Sequence, residues 1–158
     1  MDREDFFEAE LFAREPRLAW AYWLHCCREL RQQLPHSGHE TIQTWIGRGM
    51  LRGFVITSSV GGQWRAAGLP EDALLEAQGI ALELQCSQPC CDETWPFPEH
   101  LGLSEDPETH RVVGDLPVCP KCGRVARPSV EMLGSDPSFA RPRAARQEAC
   151  LVQWLDSV

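Results

Sequence analysis

Gly53-Phe54-Val55-Ile56-Thr57-Ser58-Ser59-Val60-Gly61-Gly62 is the stretch that decides the fold. Its first half is β-branched and aromatic and is bounded by small residues, which predicts a short buried strand over residues 53–57. Its second half, from Ser58 to Gly62, predicts a flexible turn. In open α/β sheets ligands bind beyond the carboxyl ends of strands, so this turn is where a site is expected.

Working outward, Trp20, Trp23, Leu24, Cys27, Leu30 and Leu34 recur at spacings of three and four and predict a helix over residues 17–34. Pro16 stands near its start and Pro35 just past its end. A shorter helix is expected over residues 6–13. A third is expected over residues 38–46, with Ile42, Trp45 and Ile46 facing inward and Gly47 and Gly49 ending it. Downstream, residues 71–77 read as a short helical piece and residues 80–85 alternate as a strand. Residues 86–122 are Pro-rich and show little periodicity. A short strand is expected over residues 129–133, and an amphipathic helix over residues 147–155 through Leu151, Trp154 and Leu155. Trp64, Trp95 and Trp154 read as packing residues rather than base-stacking platforms. Alternation of helices and short strands makes the fold class α/β.

With 158 residues, 43% apolar and 24% charged, the chain has the balance of one folded domain over residues 1–158. No uninterrupted apolar stretch approaches bilayer thickness, and the acidic start MDREDFFEAE is unlike a signal peptide. The expectation is a cytoplasmic protein with no membrane contact. A formal net charge of -8 argues against nucleic acid as a partner. The loose group Arg141, Arg143 and Arg146 reads as a solvated helix face.

The eight cysteines are unevenly placed. Cys119-Pro120-Lys121-Cys122-Gly123 has the form of a zinc knuckle. Two thiolates two residues apart reach one ion, and Gly123 lets the backbone turn with positive φ so that N–H groups point at sulfur. Cys86-Ser87-Gln88-Pro89-Cys90 is the partner pair. Together the pairs offer the four ligands of a closed tetrahedral Zn2+ site, and a metal explains how the Pro-rich loop within 86–122 folds. Free thiols, or disulfides in an oxidising compartment, are the competing readings. Cys91 directly follows Cys90 and is a spare. Cys26, Cys27 and Cys150 read as small buried hydrophobes.

Taken in order, residues 55–62, then Ala67-Gly68, then Glu76-Ala77-Gln78-Gly79, the two cysteine pairs, and residues 127–134 resemble the sirtuins, a family of NAD-dependent protein lysine deacylases. Leu18-Ala19-Trp20 and Leu34-Pro35-His36-Ser37-Gly38 are similar to its bacterial branch. The resemblance implies a partial sirtuin-like, Rossmann-type core with connecting helices and a four-cysteine zinc-binding module over residues 86–122. It also implies that Thr57, Ser58, Ser59 and Gly61 stand where the family binds NAD.

The departures point away from the family's chemistry. Ser59 and Gly61 occupy the positions of an Asn and an Asp that face the nicotinamide. Gln78 occupies the position of the catalytic His, and an amide does not take a proton near neutral pH. Leu133-Gly134-Ser135 stands for the family's Phe-Gly-Glu, and no glycine-rich phosphate turn precedes residue 38. The departures weigh against NAD binding and leave no catalytic residue. The expectation is a truncated, inactive sirtuin-like protein that binds zinc and serves as a scaffold. A working NAD-dependent deacylase completed by parts from elsewhere is the alternative, and a gene remnant is a third reading. An open sheet edge and an uncovered apolar face around Phe54 and Ile56 imply self-association or a protein partner.

Overall fold

The computed structural model describes residues 6–88 and 90–158. Met1–Asp5, half of the acidic start, and Pro89 inside the first cysteine pair lie outside the described residues. Helix α1 (Leu11–Arg14) is shorter than expected and buries Leu11 and Phe12. Helix α2 (Pro16–Gln32) has proline in its first turn, where the missing N–H costs nothing. It buries Ala19, Trp20, Trp23, Leu24 and Cys27. It stops two residues early because Leu34 precedes Pro35, a position that disfavours helical backbone. Leu34 is therefore 82% exposed instead of continuing the buried face.

Helix α3 (Ser37–Gly47) begins at a cap made of two histidines. The His36 Nδ1 accepts from the Gly38 N–H at 3.1 Å, and the His39 Nδ1 accepts from the His36 N–H at 3.4 Å. No residue of α3 is buried, and Trp45 is 44% exposed, so the expected inward face is corrected. Periodicity defines a face, but here α3 meets little beyond the short helix α4 (Gln63–Ala66).

Strand β1 (Val55–Thr57) forms where expected, though two residues later, and it is not buried: Ile56 is 61% exposed. Its partner is β2 (Leu74–Glu76), parallel, in the register Val55↔Leu74 to Thr57↔Glu76. The helical expectation for residues 71–77 is corrected. Only Glu71–Ala73 makes one 3-10 turn, and Leu74–Glu76 is a fully buried strand. A short apolar run takes its conformation from what it packs on, here β1 and helix α5 (Pro142–Leu155). Helix α5 starts five residues earlier than its apolar pattern, again with proline in its first turn. Its Trp154 lies 6.0 Å from Phe54, while Leu155 is exposed.

From β2 the chain turns through Ala77 and Gln78 into β3 (Gly79–Cys86). Strand β3 is the centre of an antiparallel sheet ordered β4-β3-β7, with β4 (Thr94–Pro96) and β7 (Ala126–Val130) as its edges. Strand β7 begins three residues before the expected strand. Pro128 is tolerated there because β7 lies at the edge, and Leu133 falls outside, 58% exposed. Gly79 has φ +79°, and a Cβ on it would lie 2.2 Å from the Ser129 carbonyl oxygen, so only glycine allows β7 this close. Trp20 anchors α2 to this sheet, its indole N–H donating to the Ala126 carbonyl at 2.9 Å. Within the aperiodic stretch, β5 (Ser104–Asp106) and β6 (Arg111–Val113) form a hairpin against α2. No described helix is long and apolar enough to cross a membrane.

Candidate metal centre and strand-end site

The antiparallel sheet delivers the cysteines. Cys86 ends β3, in register with Ala126 at the start of β7. Just before β7 the chain folds into a knuckle. The Cys119 N–H donates to the Arg124 carbonyl at 2.7 Å, and the Gly123 N–H returns to the Cys119 carbonyl at 2.9 Å. Gly123 takes φ +71°, the positive value expected of it. The knuckle brings Cys119 and Cys122 against Cys86 and Cys90, and all four sulfurs lie within 4.8 Å of one another.

Two separations test whether the set fits a metal. Cys90 Sγ is 3.5 Å from Cys119 Sγ, and Cys86 Sγ is 3.6 Å from Cys122 Sγ. Zn–S bonds of about 2.3 Å in a tetrahedron place sulfurs about 3.8 Å apart, whereas a disulfide needs about 2.05 Å. The spacing matches a tetrathiolate and excludes those disulfides. Burial acts to raise the Cys119 thiol, but the N–H groups of Lys121 and Cys122 and the neighbouring thiols outweigh it and hold it at about 6. A thiol poised as thiolate is the form that ligates. Cys27 behaves oppositely: burial pushes it up to about 12, as for a structural thiol. Cys26 and Cys150 are only half-buried.

At the strand ends, the Ala77 N–H donates to the Thr57 carbonyl at 2.9 Å, so Gln78 follows directly on the carboxyl end of the parallel pair. Its side chain is exposed and its carbonyl accepts from the Glu131 N–H at 3.0 Å. The Thr57 hydroxyl is engaged locally, accepting from the Ser59 N–H at 3.0 Å, and Ser58 and Ser59 point to the surface. Gly61 alone of the four expected cofactor residues lines the neighbouring cleft of about 520 Å³, together with Leu34, Gly62, Gln63, Arg65 and Glu83. Thr57, Ser58, Ser59 and Gln78 lie outside that lining, and no histidine lines it.

Sequence reading missed a charged cluster beneath this site. Glu76 is 2% exposed, 3.8 Å from the Arg65 guanidinium, and its backbone N–H donates to the Gln147 Oε1 at 2.9 Å. Burial raises its carboxyl, with Arg65 and Arg143 opposing. Arg143 also holds Glu71 at 2.9 Å and Glu83, so it is tied inward rather than part of a solvated face. Arg141 pairs with Glu148 on the surface. A second buried pair, Arg127 and Asp136 at 2.7 Å, fixes the far end of β7. The charge alternation of these segments gave no sign that partners so far apart would meet.

A family model described as the Sir2 family matches residues 1–152. The chain belongs to the Sir2 family. An NAD-dependent protein deacylase of Pyrococcus abyssi is 31% identical over 131 residues, 83% of this chain and 48% of that protein. One from Thermus thermophilus is 29% identical over 146 residues, 90% of this chain and 51% of its own length. Among solved structures, a Sir2 protein bound to an acetylated peptide superposes with a TM-score of 0.67 at 20% identity, over 92% of this chain and 54% of that one. A Sir2 homologue in complex with NAD gives 0.66 at 22% identity, over 91% and 51%.

The Sir2 fold is thus shared, with its parallel strands, connecting helices and cysteine module. The chain spans about half the length of the curated relatives it matches.

Proposed function

We propose that this Sir2-family chain is a zinc-stapled scaffold without deacylase activity. The observation that carries the reading is Gln78: an exposed amide follows the carboxyl end of the parallel pair, and an amide does not take up a proton near neutral pH. Loss of a general base alone costs about 10²–10⁴-fold in rate. Glu76 is the nearest carboxylate in sequence, but it is 2% exposed and faces Arg65 and Arg143. Cys86, Cys90, Cys119 and Cys122 would hold the Zn2+, which staples the loop between β3 and β7. NAD is not a ligand in this reading, because Thr57, Ser58 and Ser59 sit apart from the cleft.

The open edge of β1 and exposed Ile56 support a protein partner or a second copy as the covering surface, since a parallel sheet is normally buried on both faces. The net charge of -8 fits neither a nucleic-acid nor an anionic membrane partner, and the setting proposed is the cytoplasm.

The alternative, a working NAD-dependent protein deacylase, draws on what the relatives are named for. Nicotinamide release from NAD with an acetyl-lysine peptide separates the two. We expect none above buffer, and none from Gln78→His, which returns a base to a site lacking the polar groups that hold nicotinamide. Release that Ser59→Ala abolishes would establish the alternative.

A further inference from the structure

Strand β2 ends on a carboxylate that the protein's own groups do not satisfy. Glu76 is 2% exposed, and neither of its side-chain oxygens has a hydrogen-bond partner among the described residues. Arg65 stands 3.8 Å away, in range for charge attraction but beyond hydrogen-bond length. Gln147 favours the charged carboxylate, yet its Nε2 is itself without a hydrogen bond. Arg143 adds a further such atom. Its terminal nitrogens go to Glu71 and Glu83, which leaves the buried Nε–H with no acceptor among the described residues. Glu76, Glu83 and Arg143 line one cavity of about 10 Å³, whose wall also includes Ala144 of α5. A single water needs about 10–15 Å³ of such room.

We propose that this cavity is the site of an internal water that donates to the Glu76 carboxylate and accepts from the Arg143 Nε–H. Buried polar groups without partners are rare, and ordered water is their usual remedy where the lining is polar. Here a group that only accepts and a group that only donates border the same small space, and water serves both. The Glu83 carboxylate on the lining is a further acceptor. Charge selects against a monovalent cation, the other occupant of this size. Glu76 and Glu83 already face Arg65 and Arg143, two charges against two, and Glu71 pairs with Arg143 from the solvent side. A cation would also meet the positive end of the Arg143 Nε–H. Protonation of Glu76 is no substitute: it would leave Arg65 facing a neutral group and the Arg143 Nε–H still without an acceptor. The water joins β2 to α5 just before the chain turns through Gln78 into β3.

The test uses the full isotope-labelled chain, with Ala144→Val and Ala144→Ser as variants at the cavity wall. Valine and serine are close in helix propensity, so the choice between them changes α5 itself little. Cross-relaxation between water and the Arg143 Nε–H is measured first by NMR. Relaxation dispersion of the water oxygen then counts long-lived internal waters, and the Glu76 carboxyl carbon is followed through a pH titration. The wild type should show a water contact at the Arg143 Nε–H. Ala144→Val should fill the cavity, lose that contact and about one long-lived water, melt at a lower temperature and titrate Glu76 at higher pH. Ala144→Ser should lose the same water but melt closer to the wild type, because its hydroxyl donates and accepts in the water's place. A wild-type Arg143 Nε–H with no water contact would overturn the proposal, and so would a contact and a water count unchanged in both variants. A Glu76 carboxyl signal that moves when sodium is replaced by potassium or ammonium would overturn it in favour of a cation. Should Ala144→Val not fold, the wild-type contact and the serine variant decide the matter.

Discussion

Replacing Gly79 with alanine probes the contact that holds the strand-end site against the cysteine module. The residue follows Gln78 and starts β3 with φ +79°, where an L side chain costs roughly 1–2 kcal/mol. The added Cβ would stand 2.2 Å from the Ser129 carbonyl oxygen, a backbone atom, while C···O contacts settle at about 3.3–3.6 Å. Strand β7 must retreat by about 1 Å. That retreat strikes the pairs Gly79↔Val130 and Ile80↔Ser129, where each lost hydrogen bond is worth about 1 kcal/mol. Strain and lost pairing together come to about 3–4 kcal/mol. With a urea slope of about 2 kcal/mol per molar, the unfolding midpoint should fall by about 1.5–2 M. Gly102→Ala is the control: it has φ +64° and open space at the Cβ, so it should show only the strain part. Equal midpoint shifts for the two variants would refute the close approach of β7.

Three further outcomes follow from the geometry. Cys119→Ser should leave the chain without stoichiometric zinc by elemental analysis and should lower its melting temperature, since structural zinc contributes folding free energy outright. Acidification should loosen α3: partial burial and the neighbouring His36 lower the His39 pKa, so the folded chain prefers the neutral ring, whose Nδ1 accepts the capping N–H. That contribution is complete above the unfolded value of about 6.5 and is lost below it, as pH falls through the lower folded value, which hydrogen exchange of α3 should register and His39→Gln should flatten. Ile56→Lys should reduce self-association or partner capture in light scattering; a wild type that stays monomeric at high concentration and binds no partner leaves the exposed β1 edge without a role.

The parts legible in the sequence are those set by covalent neighbourhood. Two cysteines and a glycine within five residues dictate a knuckle whatever surrounds them, and Gly123 takes the positive φ that this demands. The β-rich run before Ser58 forms its strand for the same local reason. What escaped depends on partners far along the chain. Leu74–Glu76 is a strand only because β1 and α5 enclose it, and its three residues carry no period that could say so. Arg127 and Arg143 look like solvent-seeking cations until Asp136 and Glu83 arrive to neutralise them. Trp45, Ile56 and Leu155 fail in the opposite sense, because an apolar pattern marks which face would be covered but not whether anything covers it. These two kinds of failure meet at Gln78. The residue lies where a parallel pair hands over to an antiparallel sheet, a position that only long-range pairing creates. Its chemistry, however, is a property of one side chain. In the reading proposed above, a framework that carries an amide at Gln78 serves structure rather than proton transfer, and the cysteine centre stands at the other end of β3.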